Sequence, residues 1–272
     1  MLFPIDSSDR KPLGKTGEYI SAIGIGTWAI RDYRRAEEAL VYAIELGLNV
    51  IDTAEMYGSG KAEELVGRVI RRVGRDRVFV ITKLYPYRFI IERKALKAAQ
   101  ASLRRLGVSY VDLLLIHWPE IAVPIGRQVR ILEQLAIKGL TRYIGVSNFS
   151  LRQLKKAIES VKKYEIVLNQ VKYSVLDRQI ERDLLPFAIK EGITIQAYTP
   201  IERGAVTNVE LLNSIGRKYG KTAVQVALNF LISRPRVVAI PKTERKERID
   251  EFKGVLGWRL SKEDIESIEK SL

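Results

Sequence analysis

Eight short apolar runs alternate with amphipathic stretches, and this alternation constrains the fold more than any other feature of the chain. The runs cover 21–25, 49–52, 78–82, 110–116, 141–146, 166–170, 194–198 and 237–240. Most are continuously apolar and β-branched, as strands covered on both faces should be. The segments between them carry a helical period. In 92–106, Ala95, Leu96, Ala99, Leu103 and Leu106 share one face, and in 150–161 Leu151, Leu154, Ile158 and Val161 do the same. Ser150 with Gln153, and Thr222 with Gln225, have capping-box form at helix starts. Gly47, Gly107 and Gly192 stand just past helix ends, where a left-handed residue is wanted.

Strand–helix alternation means a parallel sheet, and eight units predict an α/β fold closed into a (β/α)8 barrel. No Ser/Gly/Pro-rich linker divides the chain, so residues 1–272 read as one barrel domain. Leu13-Gly14-Lys15-Thr16-Gly17 reads as the turn of a short N-terminal β-hairpin that plugs the barrel bottom. Two helices, near 208–219 and 222–233, fall between the seventh and eighth strands, one more than the pattern needs. A final helix is expected over 261–272. An open doubly wound sheet is the rival, because Gly24-Ile25-Gly26-Thr27-Trp28-Ala29 matches a loose dinucleotide-binding pattern. Bulky Trp28 inside that loop argues against it. So does the position of the lone acidic candidate, Glu45, within a helix.

Composition narrows the chemistry. The chain is 272 residues long and 46% hydrophobic, enough for a large core. It has no cysteine and one histidine, so a disulfide framework is excluded and no metal site is expected. No apolar stretch is long enough to span a bilayer and no secretory leader pattern opens the chain, so a soluble, cytoplasmic protein is expected. The net charge of +14 raises the question of nucleic acid. The basic residues are scattered, however, with Arg68, Arg71, Arg72 and Arg75 on one helix and Lys155, Lys156, Lys162 and Lys163 on another. Glu63, Glu64 and Glu159 interleave with them. Without a binding module this is a solvated shell, and neither nucleic acid nor membrane is expected as a partner. Abundant Lys, Arg and Glu with few Met fits a heat-adapted protein.

Four polar residues mark where apolar runs end. Asp52 and Lys83 close the second and third strands, His117 follows the fourth, and Tyr57 lies in the loop after Asp52. In a barrel the C-terminal ends of neighbouring strands converge on one face. An ammonium beside a phenol lowers the phenol's pKa. Lys83 can therefore activate Tyr57, Asp52 can hold Lys83, and His117 can orient a carbonyl. The set suits general acid catalysis on an alkoxide as it forms.

With these residues in place the chain resembles the aldo-keto reductase family along nearly its whole length. Asp52-Thr53-Ala54-Glu55-Met56-Tyr57-Gly58, Leu114-Leu115-Ile116-His117-Trp118-Pro119 and Ile144-Gly145-Val146-Ser147-Asn148-Phe149 match its motifs in order. So do Asn169-Gln170, Gln196-Ala197-Tyr198-Thr199-Pro200 and Ile240-Pro241-Lys242-Thr243. The resemblance implies NADPH-dependent reduction of aldehydes and ketones, with Asp52, Tyr57, Lys83 and His117 as the catalytic tetrad. It implies cofactor contacts at Ser147, Asn148, Gln170, Tyr198, Pro200, Lys242, Thr243, Arg245, Arg248 and Glu251. The cluster Lys242, Thr243, Arg245 and Arg248 fits an adenosine 2′-phosphate, so NADPH/NADP+ is expected over NADH. Phe252 replaces an asparagine common in the family, and Thr199 stands where serine is frequent. Trp28 and Trp118 are expected to wall the substrate site with Tyr57 and His117, and Tyr85 and Pro86 to form its rim. The short Trp118–Arg127 loop points to an open pocket and a small-molecule carbonyl substrate. The alternative is a cofactor-sensing regulatory subunit with little turnover. The expected state is a monomer or weak homo-oligomer.

Overall fold

A computed structural model describes residues 3–272. The chain opens with an antiparallel hairpin, β1 (Arg10–Pro12) and β2 (Tyr19–Ser21). Eight parallel strands follow in sequential order: β3 (Ile25–Gly26), β4 (Val50–Asp52), β5 (Phe79–Leu84), β6 (Val111–Ile116), β7 (Thr141–Ser147), β8 (Ile166–Lys172), β9 (Thr194–Tyr198) and β10 (Val237–Ala239). The two edges meet. Ile23 bridges to Ala239 and Gly26 to Lys242, and the Gly24 amide donates to the Ala239 carbonyl at 2.9 Å. The sheet therefore closes into the expected barrel, and the doubly wound alternative falls.

The first strand is shorter than the 21–25 run suggests. Ser21 pairs with Arg10 in the hairpin, so its backbone is taken by β2, and barrel pairing starts at Ile23. The hairpin does plug the barrel. Leu13 and Ile20 are buried in one cluster with Val50, Phe79, Ile81, Leu113, Leu115, Val167, Leu168 and Val238. Gly14 is required at the turn. Its φ is +55°, and a Cβ there would sit 2.7 Å from Val167 Cβ.

Alternate strand residues face the barrel interior. Ile81, Leu113 and Leu115 lie inside, whereas Val80, Leu114 and Ile116 pack outward in the main core with helical residues such as Leu65, Leu103 and Leu132. Most of the runs are apolar because both faces are covered. Continuing the inward series by two residues gives Asp52 after Val50, Lys83 after Ile81 and His117 after Leu115. The strands thus set polar side chains on top of an apolar barrel core.

The outer helices are α1 (Tyr33–Glu45), α2 (Lys61–Val73), α3 (Glu92–Leu106), α4 (Ile125–Ile137), α5 (Leu151–Ser160), α6 (Leu184–Glu191), α7 (Glu210–Tyr219), α8 (Ala223–Ile232), α9 (Lys246–Lys253) and α10 (Lys262–Ser271). Both capping boxes form, at Ser150 with Gln153 and at Thr222 with Gln225. Gly47, Gly107 and Gly192 adopt positive φ. The two helices between the seventh and eighth barrel strands are α7 and α8, one more than the pattern needs. Among the described residues no helix is long and apolar enough to cross a membrane.

Candidate active site

A cavity of about 880 Å³, within the usual range for ligand pockets, opens at the C-terminal ends of the barrel strands. Asp52 and His117 are buried among its lining residues, and Lys83 is buried behind them. Lys83 Nζ donates to Asp52 Oδ1 at 2.6 Å, to the Thr53 carbonyl at 2.9 Å and to Tyr57 Oη at 3.1 Å. Asp52 Oδ2 accepts from Gln170 Nε2 at 2.7 Å. Both charges are therefore paired and hydrogen-bonded, the condition under which burial is tolerable.

Tyr57 comes from a loop that the backbone fastens over β5. The Glu55 amide donates to the Lys83 carbonyl at 3.1 Å, and Glu55 Oε1 accepts from the Tyr85 amide at 2.7 Å. The turn then reverses at Gly58, φ +57°, where a Cβ would sit 2.3 Å from Tyr33 Oη. The Tyr57 and His117 rings meet edge to face with centroids 5.7 Å apart. The constellation expected from the strand ends is thus assembled.

The electrostatics differ in one respect from the sequence expectation. Lys83 does pull the Tyr57 pKa down, but burial pushes it up more strongly, Asp52 adds to that, and the net shift is upward. Tyr57 therefore holds its proton firmly at neutral pH. Burial opposes the Lys83 charge, and Asp52 and Tyr57 together outweigh it, so its pKa lies above the usual lysine value. Burial, reinforced by the Lys83 ammonium, lowers the His117 imidazole to about 2. His117 is therefore neutral, with one donor and one acceptor nitrogen. Its Nδ1 is buried without a partner among the described residues.

Next to this floor lies a network of amides and hydroxyls. Asn148 Nδ2 donates to the His117 carbonyl at 3.0 Å and to Ser147 Oγ at 3.1 Å, and Asn148 Oδ1 accepts from Tyr198 Oη at 2.9 Å. Ser147 Oγ donates to the Gln170 carbonyl at 3.0 Å, and Gln170 Nε2 also reaches Gln196 Oε1 at 2.6 Å. Asn148 holds φ +60°, a conformation asparagine tolerates better than most residues. Much of this polar capacity is already engaged within the protein. Gln196 Nε2 is the exception, buried with no partner among the described residues.

The far end of the cavity is cationic. Lys242, Thr243, Arg245, Arg248, Glu251 and Phe252 line it, together with Pro200 and Tyr198 nearer the floor. Arg248 pairs with Glu251, whose other oxygen accepts from Thr222 Oγ1 at 2.7 Å. The cavity thus runs from aromatic rings and amides to a cluster of cations, a sequence of chemistry that fits a nicotinamide dinucleotide along its length.

Trp28 and Trp118 both line the cavity and are 49% and 39% exposed, so neither is ordinary core. Trp118 stacks on His117 with centroids 3.9 Å apart and planes inclined by 6°. Tyr85 and Pro86 are not among the lining residues. Tyr85 instead stacks on Tyr87 at 5.2 Å. Arg31, Arg35, Arg203 and Glu244 also line the cavity and escaped the sequence reading. Arg31 and Arg35 lie some two hundred residues from the Lys242–Arg248 cluster, with no local pattern marking them. Glu244 sits inside that cluster with the opposite charge.

Comparison with known proteins agrees with this arrangement. The model of the aldo/keto reductase family matches residues 22–272. Methylglyoxal reductase YeaE of Escherichia coli is 34% identical, over 93% of this chain and 91% of its own. The thermostable aldo-keto reductase Tm1743, solved with the inhibitor epalrestat, superposes with a TM-score of 0.89 at 40% identity, covering 96% of this chain and 98% of its own. An aldo-keto reductase from Klebsiella pneumoniae, solved in complex with NADPH, gives 0.90 at 32% identity, covering 97% and 95%. A barrel closed in this order, the polar groups at its mouth and a family match over nearly the whole chain lead to one conclusion: the chain belongs to the aldo/keto reductase family of oxidoreductases.

Proposed function

We propose that this protein is an NADPH-dependent reductase of small aldehydes and ketones, acting as one barrel domain with Tyr57 as general acid. The observation that carries the reading is the fully buried Lys83 ammonium, 2.6 Å from Asp52 Oδ1 and 3.1 Å from Tyr57 Oη. A general acid must keep its proton until a base strong enough to take it appears. Burial keeps Tyr57 protonated. An alkoxide is a far stronger base than a phenolate, and the phenolate left behind is stabilised by the neighbouring ammonium. Neutral His117 donates a hydrogen bond to the substrate carbonyl oxygen and directs it toward Tyr57. Asp52 keeps Lys83 charged and in place. Trp28 and Trp118 give an open apolar wall beside the carbonyl, which supports broad acceptance of small substrates.

A reduced nicotinamide supplies hydride to the carbonyl carbon when bound. Ser147, Asn148 and Gln170 would hold its carboxamide, and Tyr198, fixed by its hydrogen bond to Asn148, offers a face for the ring. Lys242, Thr243, Arg245 and Arg248 would take the adenosine 2′-phosphate, with Glu251 and Phe252 near the adenine. The cationic end supports NADPH over NADH. The relationship to a methylglyoxal reductase supports 2-oxoaldehydes among the substrates. Every residue of the set belongs to one chain, so a single copy suffices.

The test is oxidation of NADPH and of NADH with a panel of 2-oxoaldehydes, simple aldehydes, ketones and sugars. Turnover with aldehydes, faster with NADPH, is the expected result. Tight NADPH binding without oxidation by any member of the panel would favour a cofactor-sensing protein instead.

A further inference from the structure

One carboxylate joins the loops that follow the two strands closing the barrel. Glu244, in the loop after β10, accepts from the Arg31 amide at 3.0 Å and the Asp32 amide at 3.1 Å, both in the loop after β3. Its Oε1 also pairs with Lys242 Nζ. Burial works against the charge, but these hydrogen bonds outweigh it, so the carboxyl lies below its usual pKa and stays ionised. Lys242 thus meets any incoming ligand with a counter-ion already in place. Among the described residues Arg31, Arg35 and Arg245, which also line the cavity, form no ion pair with any carboxylate.

We propose that Glu244 is a specificity-determining residue that limits how strongly this site prefers a 2′-phosphorylated dinucleotide over the unphosphorylated form. The proposal rests on the reading that the cavity binds a nicotinamide dinucleotide with its adenosine end at Lys242–Arg248. A 2′-phosphate brings roughly −1.5 to −2 charges. At Lys242 it is attracted by one cation and repelled by the carboxylate paired with that cation. A 2′-hydroxyl meets no such repulsion and can donate to the same carboxylate, as acidic residues do for ribose elsewhere. Glu244 therefore opposes the preference that Arg245, Arg248 and Lys242 create. It also clasps the two lips of the cavity through the Arg31 and Asp32 amides, which acts on both dinucleotides alike.

Two substitutions separate these effects. Glu244→Gln removes the charge and keeps one amide oxygen for the clasp, whereas Glu244→Ala removes both. Dissociation constants for NADPH and NADH are measured by titration of the intact protein and of each variant. The ratio of the NADH constant to the NADPH constant is expected to rise about tenfold in both variants, equivalent to about 1.4 kcal/mol. Glu244→Ala should in addition weaken both dinucleotides by a common factor. A ratio that stays the same or falls in both variants overturns the proposal. A parent protein that binds neither dinucleotide removes the underlying reading itself, an outcome visible before any variant is made.

Discussion

Replacing Lys83 with Met probes the buried cation with little change of side-chain length. The ammonium is fully buried and makes three contacts, to Asp52, the Thr53 carbonyl and Tyr57. Removing one partner of a buried ion pair strands the other, at a cost of about 3–5 kcal/mol. Against a typical domain stability of about 5–15 kcal/mol, Lys83→Met should be folded but much weakened. Asp52 can relieve the strain by taking up a proton. Burial already pushes its carboxyl up, against the pull of Lys83 and Gln170, and without the ammonium the push goes further. A carboxyl with a raised folded pKa contributes stability fully below its unfolded pKa, and that contribution is lost as pH rises through the folded value. The deficit relative to the parent should therefore be small near pH 5 and largest near pH 8. The charge-free double variant Asp52→Asn with Lys83→Met should recover most of the stability, because an uncharged buried pair costs little, yet remain inactive. Urea unfolding at the two pH values gives the stabilities, and steady-state reduction gives the turnover. Equal stability of Lys83→Met and parent near pH 8 would refute a charged Asp52–Lys83 pair. Parental turnover in the double variant would remove the cation from the chemistry.

Tyr57→Phe should lower kcat by about 10²–10⁴, the usual contribution of a general acid, with NADPH affinity retained. Lys83 keeps its contacts to Asp52 and Thr53, so the fold survives; a loss below tenfold would count against Tyr57 as the acid. His117, held down to about 2, takes up no second proton in the folded state where the unfolded imidazole, near ~6.5, does. Its contribution to stability is therefore present above about pH 6.5 and lost as pH falls toward 2, at about 1.4 kcal/mol per pH unit. His117→Asn should flatten the stability–pH curve by that slope between about pH 4 and 6, and an unaltered slope would contradict a neutral buried imidazole. The ion-rich composition predicts a thermal midpoint above the roughly 45–65 °C of mesophilic domains, to be checked by calorimetry.

The barrel was legible because parallel strands covered on both faces are mostly apolar, and eight such runs leave few alternatives. The proposed catalytic residues were legible for a related reason. Asp52, Lys83 and His117 interrupt the inward-facing series of their strands, and in a barrel those interruptions share one end. The boundaries were less secure. Ser21 belongs to the hairpin rather than to β3, because a residue's hydrogen-bond partner is not written in its own segment.

What the sequence determined by itself was therefore periodic and local: the order of strands and helices, the caps, the hairpin turn and the polar residues closing each run. The tertiary structure alone decided what depends on distance between remote segments. It brought Glu244 onto the amides of Arg31 and Asp32, moved Tyr85 off the cavity and onto Tyr87, and wove Ser147, Asn148, Gln170 and Tyr198 into one network. It also reversed the sign of the Tyr57 shift. Spacing reveals that a cation stands near the phenol, but the depth of burial that outweighs it exists only once the barrel has closed.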